Sequence, residues 1–394
     1  MVSNAWDKFK IQFNIRLMKK NILKTLLIGS LIFSCSQDDS IDQVIIIPDI
    51  DEPEVTSVNG FYLLNEGNMG TNSATIDYYD YAKGEYQRNI YATANPDIVK
   101  ALGDVGNDIK IYGNKMYAVI NVSNYIEVMD VKTAKHLGSI ELSNCRYITF
   151  KDGKAYATSY AGPVTIDPNA PIGKVVEIDT ISLKITREEN VGYQPDELEV
   201  LGNNLYVANS GGYRFPNYDR TVSVVDLATF KEKEKIDVAI NLHHIKKDSE
   251  GDLYVSSRGD YYDIPSNLYV LDSKTHQIKK TFNIPITNYT IVDDKLYYYA
   301  NEFNYNTFEY VKSYGIIDTK TEQIISTNLI NDPIIDQIKS PYGIAVNPVT
   351  KDLYITDAVD YVSMGYVYAF DQNGKYKWRV AAGNIPAHIT FYTK

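Results

Sequence analysis

The sequence predicts an all-β chain built as a seven-bladed β-propeller, with the ring closed by a C-terminal strand that joins the first blade. Three observations carry this reading. A short apolar strand containing tyrosine recurs at Tyr62, Tyr117, Tyr156, Tyr206, Tyr254, Tyr297 and Tyr354. A second apolar strand ending in aspartate follows each, at Asp80, Asp130, Asp179, Asp226, Asp272, Asp318 and Asp371, so the aspartates fall 50, 49, 47, 46, 46 and 53 residues apart. Seven units of that period, made of strands and turns, are the pattern of four-stranded blades. Finally, the first unit opens on Phe61-Tyr62-Leu63 with no strand before it, while the chain end, His388 to Tyr392, alternates like an innermost strand. Giving that end to blade one leaves no free sheet edge at the junction.

The N-terminal segments are read separately. Lys19, Lys20 and Lys24 precede an apolar run from Thr25 to Phe33, then Ser34 and Cys35. The run is nine residues, about half the roughly 20 that span a bilayer as a helix, the size of a signal-peptide core. Ile32-Phe33-Ser34-Cys35 resembles the lipobox of bacterial lipoproteins, which implies lipidation of Cys35 and translation from Met18. Residues 1–34 are therefore assigned to upstream sequence and signal peptide. Residues 35–57, polar, acidic and broken by proline, form a tether that does not pack, and the propeller occupies 58–394. An acidic stretch behind such a cysteine resembles the signal that sends some lipoproteins to the outer face of the outer membrane.

Within the propeller, residues 196–238 show the blade plan most plainly. Glu197 to Val200 reads as the innermost strand A, Leu205 to Ala208 as B, Thr221 to Asp226 as C and Glu232 to Val238 as D. The repeated aspartates open turns such as Asp272-Ser273-Lys274-Thr275, where a carboxylate accepts backbone N–H bonds, so they are turn residues and not a carboxylate ring. Asn373-Gly374 fits a two-residue hairpin.

Composition limits the chemistry. The chain has 394 residues, with 34 tyrosines against 2 tryptophans and 2 cysteines. Two cysteines exclude a disulfide framework and a four-thiolate metal site. Net charge is 39 − 50 = −11, and the first 34 residues hold six basic side chains and one acid, so the remainder stands at −16. Such a balance argues against a nucleic-acid partner. The five histidines show no ligand spacing beyond His243-His244, which strand alternation would send to opposite faces. Asp248 to Asp252 is too short for a calcium loop, no nucleophile motif is present, and Cys145 reads as a small core filler. No catalytic residue, metal or cofactor is expected.

Function is expected on the B–C and D–A connections, which emerge on one face of a propeller around its channel. Those connections are rich in tyrosine and asparagine, which offer flat contact area at small entropic loss together with hydrogen-bonding groups. The expected ligand contacts are Asn68, Tyr160, Tyr213, Arg258, Tyr261, Tyr305 and Tyr361 from B–C loops, with Arg146, Tyr147, Tyr193 and Tyr342 from the channel side. The seven strand-B tyrosines are assigned to blade packing.

The order Asn65-Glu66-Gly67-Asn68, then Ala74 to Asp80, Arg146-Tyr147-Ile148, Tyr342 to Pro348, Tyr354 to Tyr361 and Gly365 to Tyr368 resembles the surface-exposed YncE-like propeller lipoproteins. It is most similar to their BtuG type. The resemblance covers about Asn59 to Tyr392 and is carried mainly by the first and last blades. It implies a non-enzymatic protein, lipid-anchored in the outer membrane and facing the cell exterior, that captures a corrinoid such as cobalamin and passes it to a TonB-dependent outer-membrane transporter. Two other functions fit the composition. One is glycan capture for polysaccharide uptake. The other is a metal-dependent lactonase or lyase, for which Glu66, Asn121, Asn209, Asn301 and Asp357 would have to ring one ion.

Overall fold

In the computed structural model, residues 55–98 and 101–393 are described. Cys35, the signal segment and most of the tether lie outside them. The described residues form seven four-stranded antiparallel sheets arranged as a β-propeller. Blade four is representative, with strand A at Pro195–Leu201, B at Asn204–Asn209, C at Thr221–Asp226 and D at Lys231–Asp237. One short helix, Ile90–Ala94, fills the connection from blade one to blade two.

Closure follows the sequence expectation. Strand B of blade one (Val58–Asn65) pairs with Thr75–Asp80 on one side and with the C-terminal strand Pro386–Thr393 on the other. Phe61 sits opposite Phe391 and Tyr62 opposite Thr390, so the last residues of the chain are the inner strand of the first blade.

The structure explains why strand B carries tyrosine and not phenylalanine. All seven of these side chains are buried between blades. Four of them use the hydroxyl to hold the C–D turn of the next blade. Tyr206 Oη donates to the Ser273 carbonyl at 3.2 Å, Tyr254 Oη to that of Thr319 at 2.9 Å, and Tyr62 Oη to that of Val131. Tyr354 Oη meets Tyr81 Oη at 2.6 Å across the closing junction. A buried ring supplies apolar area, and the hydroxyl satisfies a carbonyl that the turn leaves unpaired.

The turn aspartates are also as expected. Asp130, Asp272 and Asp318 each accept the backbone N–H of the residue three further on, at 2.8–2.9 Å, and the other four copies cap their own turns in the same manner. Asn373-Gly374 departs from the two-residue reading. Asp371 to Gly374 form a four-residue turn closed by Gly374 N–H to the Asp371 carbonyl at 2.9 Å, with only Gly374 at positive φ. The aspartate side chain, by bonding Asn373 and Lys375, outcompetes the tighter turn.

Candidate functional site

Six of the seven A strands begin with a one-residue register shift, and four of these place a doublet opposite a single strand-B residue. Arg146 and Tyr147 together oppose Thr158, Asp196 and Glu197 oppose Ala208, His243 and His244 oppose Ser256, and Tyr342 and Gly343 oppose Thr356. Each is a β-bulge, which turns two consecutive side chains toward one face and re-aims them. The backbone group that a bulge leaves free is taken up by a strand-B hydroxyl in three blades: Tyr147 N–H to Thr158 Oγ1 at 3.1 Å, His244 N–H to Ser256 Oγ at 3.1 Å, and Gly343 N–H to Thr356 Oγ1 at 2.7 Å. Gly343 is glycine because a Cβ there would lie 2.0 Å from the Ala387 carbonyl oxygen. The bulge also overturns the alternation expected for His243 and His244, whose ring centroids are 3.6 Å apart.

These bulges build the floor of the mouth. Asp196 is fully buried and accepts from Arg146 Nε at 3.1 Å, from an Arg258 guanidinium nitrogen at 3.0 Å and from Tyr160 Oη at 2.7 Å. The Arg146 guanidinium also lies 4.8 Å from the centre of the Tyr160 ring. Burial and the neighbouring Asp196 hold the Tyr147 hydroxyl well above its ordinary pKa, and that hydroxyl meets His243 Nε2 at 3.0 Å. His243 is itself held well below its ordinary value of 6.5, first by burial and then by Arg258, His244 and Arg146. Its imidazole is therefore neutral in the fold. Across the channel, Tyr342 Oη donates to Glu66 at 2.8 Å, and His388 Nε2 lies 3.3 Å from the same carboxylate.

The His243 environment has a pH consequence. A histidine whose folded pKa is depressed contributes stability above its unfolded pKa and loses it as pH falls toward the folded value. Melting temperature is expected to fall as pH drops from about 7 to about 5, above the range where carboxylates protonate. His243→Gln should flatten part of that slope in thermal melts, and an unchanged slope would refute the assignment.

The walls are aromatic. Eight large aromatic side chains are exposed among the described residues: Tyr213, Phe215, Tyr261, Tyr262, Tyr305, Phe308, Tyr310 and Tyr361. Seven lie in B–C connections, and Tyr310 stands at the start of strand C in blade six. None is on the opposite face. Blade six contributes the tallest element, because its B and C strands, Lys295–Asn304 and Glu309–Asp318, have 10 residues each where most others have 6. Phe303 and Tyr305 at its tip pack 5.0 Å apart, and Tyr305 lies 5.3 Å from Tyr262 of blade five.

The loops brace one another in pairs. Asp167 N–H donates to the Tyr213 carbonyl at 2.8 Å, joining blades three and four, and Tyr305 N–H reaches the Tyr261 carbonyl at 3.3 Å, joining five and six. Asn68 Nδ2 donates to the Tyr361 carbonyl, joining seven and one. Tyr261 and Tyr361 have φ of 67° and 63° and are the only tyrosines at positive φ among the described residues. Each follows an aspartate whose carboxylate caps the two succeeding N–H groups: Asp260 to Tyr262 and Asp263 at 2.9 and 3.0 Å, Asp360 to Val362 and Ser363 at 3.0 and 2.7 Å. Left-handed backbone at a bulky residue costs about 1–2 kcal/mol, which these capped turns offset.

The structure thus brings the expected contact residues to one end of the channel, in two tiers. Tyr213, Tyr261, Tyr305 and Tyr361 are exposed on the walls, with Asn68 beside them. Tyr193 is partly covered by the Arg214 guanidinium, 3.5 Å above its ring. Arg146, Arg258 and Tyr342 form the floor, while Tyr147 and Tyr160 are buried beneath it with their hydroxyls already bonded. Asp196, which organises the floor, and the aromatic tip at Phe303, Phe308 and Tyr310 were not singled out in the sequence. The doublets Arg-Tyr, Asp-Glu, His-His and Tyr-Gly at four A-strand starts were the available signal.

Of the five residues that a metal ring would need, Asn121, Asn209 and Asp357 are buried and already hydrogen-bonded within the protein. Asn121 Nδ2 donates to the Cys145 carbonyl at 2.8 Å, Asn209 holds Gly192, Thr221 and Ser223, and Asp357 accepts Lys339 and Ser340 N–H at 3.1 and 2.8 Å. Among the described residues no group of three or more His, Cys, Asp and Glu side chains could hold a metal ion. Cys145 is buried, its thiol pushed up to about 12 by burial.

Residues 59–392 match the family described as a domain of unknown function, DUF5074, and the chain belongs to it. No curated protein matches the sequence. Solved structures share the propeller at low identity. Hydrazine synthase of Kuenenia stuttgartiensis is similar at 15% identity and a TM-score of 0.59, over 72% of this chain and 88% of that one. A quinonprotein alcohol dehydrogenase-like protein from Bacteroides thetaiotaomicron has 14% identity and a TM-score of 0.56, over 85% and 78%. The periplasmic gluconolactonase of Pseudomonas aeruginosa has 9% identity and a TM-score of 0.57, over 84% and 98%. Such likeness shows the fold alone, and the gluconolactonase activity is that of the neighbour.

Proposed function

We propose that this propeller is a capture protein that binds a corrinoid at the loop face and delivers it intact to a TonB-dependent transporter, anchored to the outer membrane through Cys35. The observation that carries the binding role is the distribution of exposed aromatic rings, all eight on the loop face or at its rim. A corrin is a flat macrocycle fringed by amides. Tyrosine faces stack on its plane, and Asn68, Arg146 and Arg258 offer donors to its amide oxygens. Three braced loop pairs keep the walls in place before the ligand arrives, which reduces the entropy lost on binding. The hydrogen bonds already made by Asn121, Asn209 and Asp357 disfavour these three side chains as ligands of a lactonase ion.

Calorimetric titration of residues 58–394 with cyanocobalamin and with cobinamide tests this. Saturable heat with either is expected, and no heat at micromolar protein would sink the corrinoid claim. Binding on a glycan array in its place would redirect the mouth to sugars. Tyr213→Ala and Tyr361→Ala should each cost about 2 kcal/mol of binding, close to a 30-fold rise in Kd, with melting unchanged because both rings are exposed. If both were silent, the ligand would sit elsewhere.

A further inference from the structure

The floor of the mouth carries more positive charge than it neutralises. Two guanidinium groups, those of Arg146 and Arg258, are held by one carboxylate, Asp196, which is fully buried. Neither arginine has another carboxylate within 4.0 Å among the described residues. Glu197, the next residue in the chain, is engaged below the floor by Lys246 and His244. Glu302 of blade six senses Arg258, but it bonds to Ser266 and burial holds it above the usual carboxylate range. His243 reflects the same imbalance: after burial, the groups that lower its pKa most are Arg258, His244, Arg146 and His388, and none is an acid.

Each arginine spans to Asp196 with one nitrogen, Arg146 through Nε at 3.1 Å and Arg258 through Nη1 at 3.0 Å. Their other guanidinium nitrogens are not among the buried atoms sealed from solvent, and the two side chains are 13% and 26% exposed, so these donors stay accessible. Tyr213 lies near enough to Arg146, and Tyr261 to Arg258, to act on them electrostatically, which sets the free donors beside two exposed wall rings.

We propose that the floor is an oxyanion subsite that takes a singly charged phosphodiester carried by the ligand of the mouth. For the rest of that ligand the proposal rests on the corrinoid reading. An amide oxygen would occupy the same donors but leave the excess charge uncompensated once the ligand covers it, whereas a monoanion accepts the hydrogen bonds and brings the cluster to neutrality. Guanidinium groups suit phosphate oxygens because their N–H groups are fixed in a planar fork. Cobalamin carries one phosphodiester, in its nucleotide loop, and cobinamide lacks it. The floor therefore selects the complete corrinoid, while the aromatic walls hold the macrocycle common to both.

Calorimetry on the intact protein with cyanocobalamin and with cobinamide is the test. Cyanocobalamin should bind about tenfold more tightly, or better. Arg258→Gln keeps an N–H donor and leaves Arg146 paired with Asp196, so the floor becomes neutral and the preference should fall to about twofold or less. Arg146→Gln, which leaves Arg258 on Asp196, should do the same. The ratio is read within each protein, so a loss of stability in one variant does not mask it. Equal wild-type affinities, or a preference that survives both replacements, would overturn the proposal. If neither corrinoid binds, the capture reading fails and dimethyl phosphate decides the subsite. A saturable shift of arginine Nε–H resonances that Arg258→Gln weakens about tenfold would uphold it, and no shift, or an equal shift with acetate, would overturn it.

Discussion

Removing residues 388–394 is expected to abolish the single cooperative unfolding transition of the propeller. The segment is most of the inner strand of blade one, and its loss would bare the backbone edge of Val58–Asn65 toward the channel. Each buried backbone group left without a partner costs about 1–3 kcal/mol, so several together rival the roughly 5–15 kcal/mol of a whole domain. Side chains are lost as well. Phe391 packs 6.0 Å from Tyr354 and 6.3 Å from Phe61, bridging the seventh blade to the first, and Tyr392 lies 6.4 Å from Tyr62. A broad melt by circular dichroism, or insoluble protein, is the expected outcome. A truncated chain that still unfolded in one sharp transition would show that the ring does not depend on this strand.

That closure was legible because the pattern that encodes it is local: a first unit lacking a strand and a last strand lacking a unit. The turn aspartates were legible for the same reason, since an aspartate and the N–H groups it caps are at most four residues apart. The floor of the mouth was less so. Asp196, Arg146 and Arg258 are 50 and 62 positions apart and come from blades four, three and five. Their meeting depends on the ring geometry and on bulges that strand alternation cannot anticipate, which is why His243 and His244 were sent to opposite faces. Tyr160 shows the other limit. As a loop tyrosine it looked like a contact, but an aspartate 36 residues away draws its hydroxyl under the floor.

Asp196→Ala is expected to cost about 3 kcal/mol of stability, read as a lower denaturant midpoint with an unchanged slope. The carboxylate is fully buried and is the acidic partner of two guanidinium groups whose side chains are 13% and 26% exposed. Those exposures place the loss at the low end of the range for a broken buried pair, because water screens part of each charge. Blades three, four and five are all tied through this one side chain, so no single loop can relax to repair the loss. Tyr160→Phe, which removes one neutral donor to the same carboxylate, should cost about 1 kcal/mol. The informative comparison is the triple variant Arg146→Met, Asp196→Ala, Arg258→Met. Deleting the charges together removes the desolvation penalty along with the attraction, so the triple variant should be more stable than Asp196→Ala alone. Corrinoid binding separates the two roles of the cluster: the triple variant should regain stability without regaining affinity, because the arginines proposed to face the ligand are gone. If affinity returned with stability, the floor would act only as a scaffold for the aromatic walls.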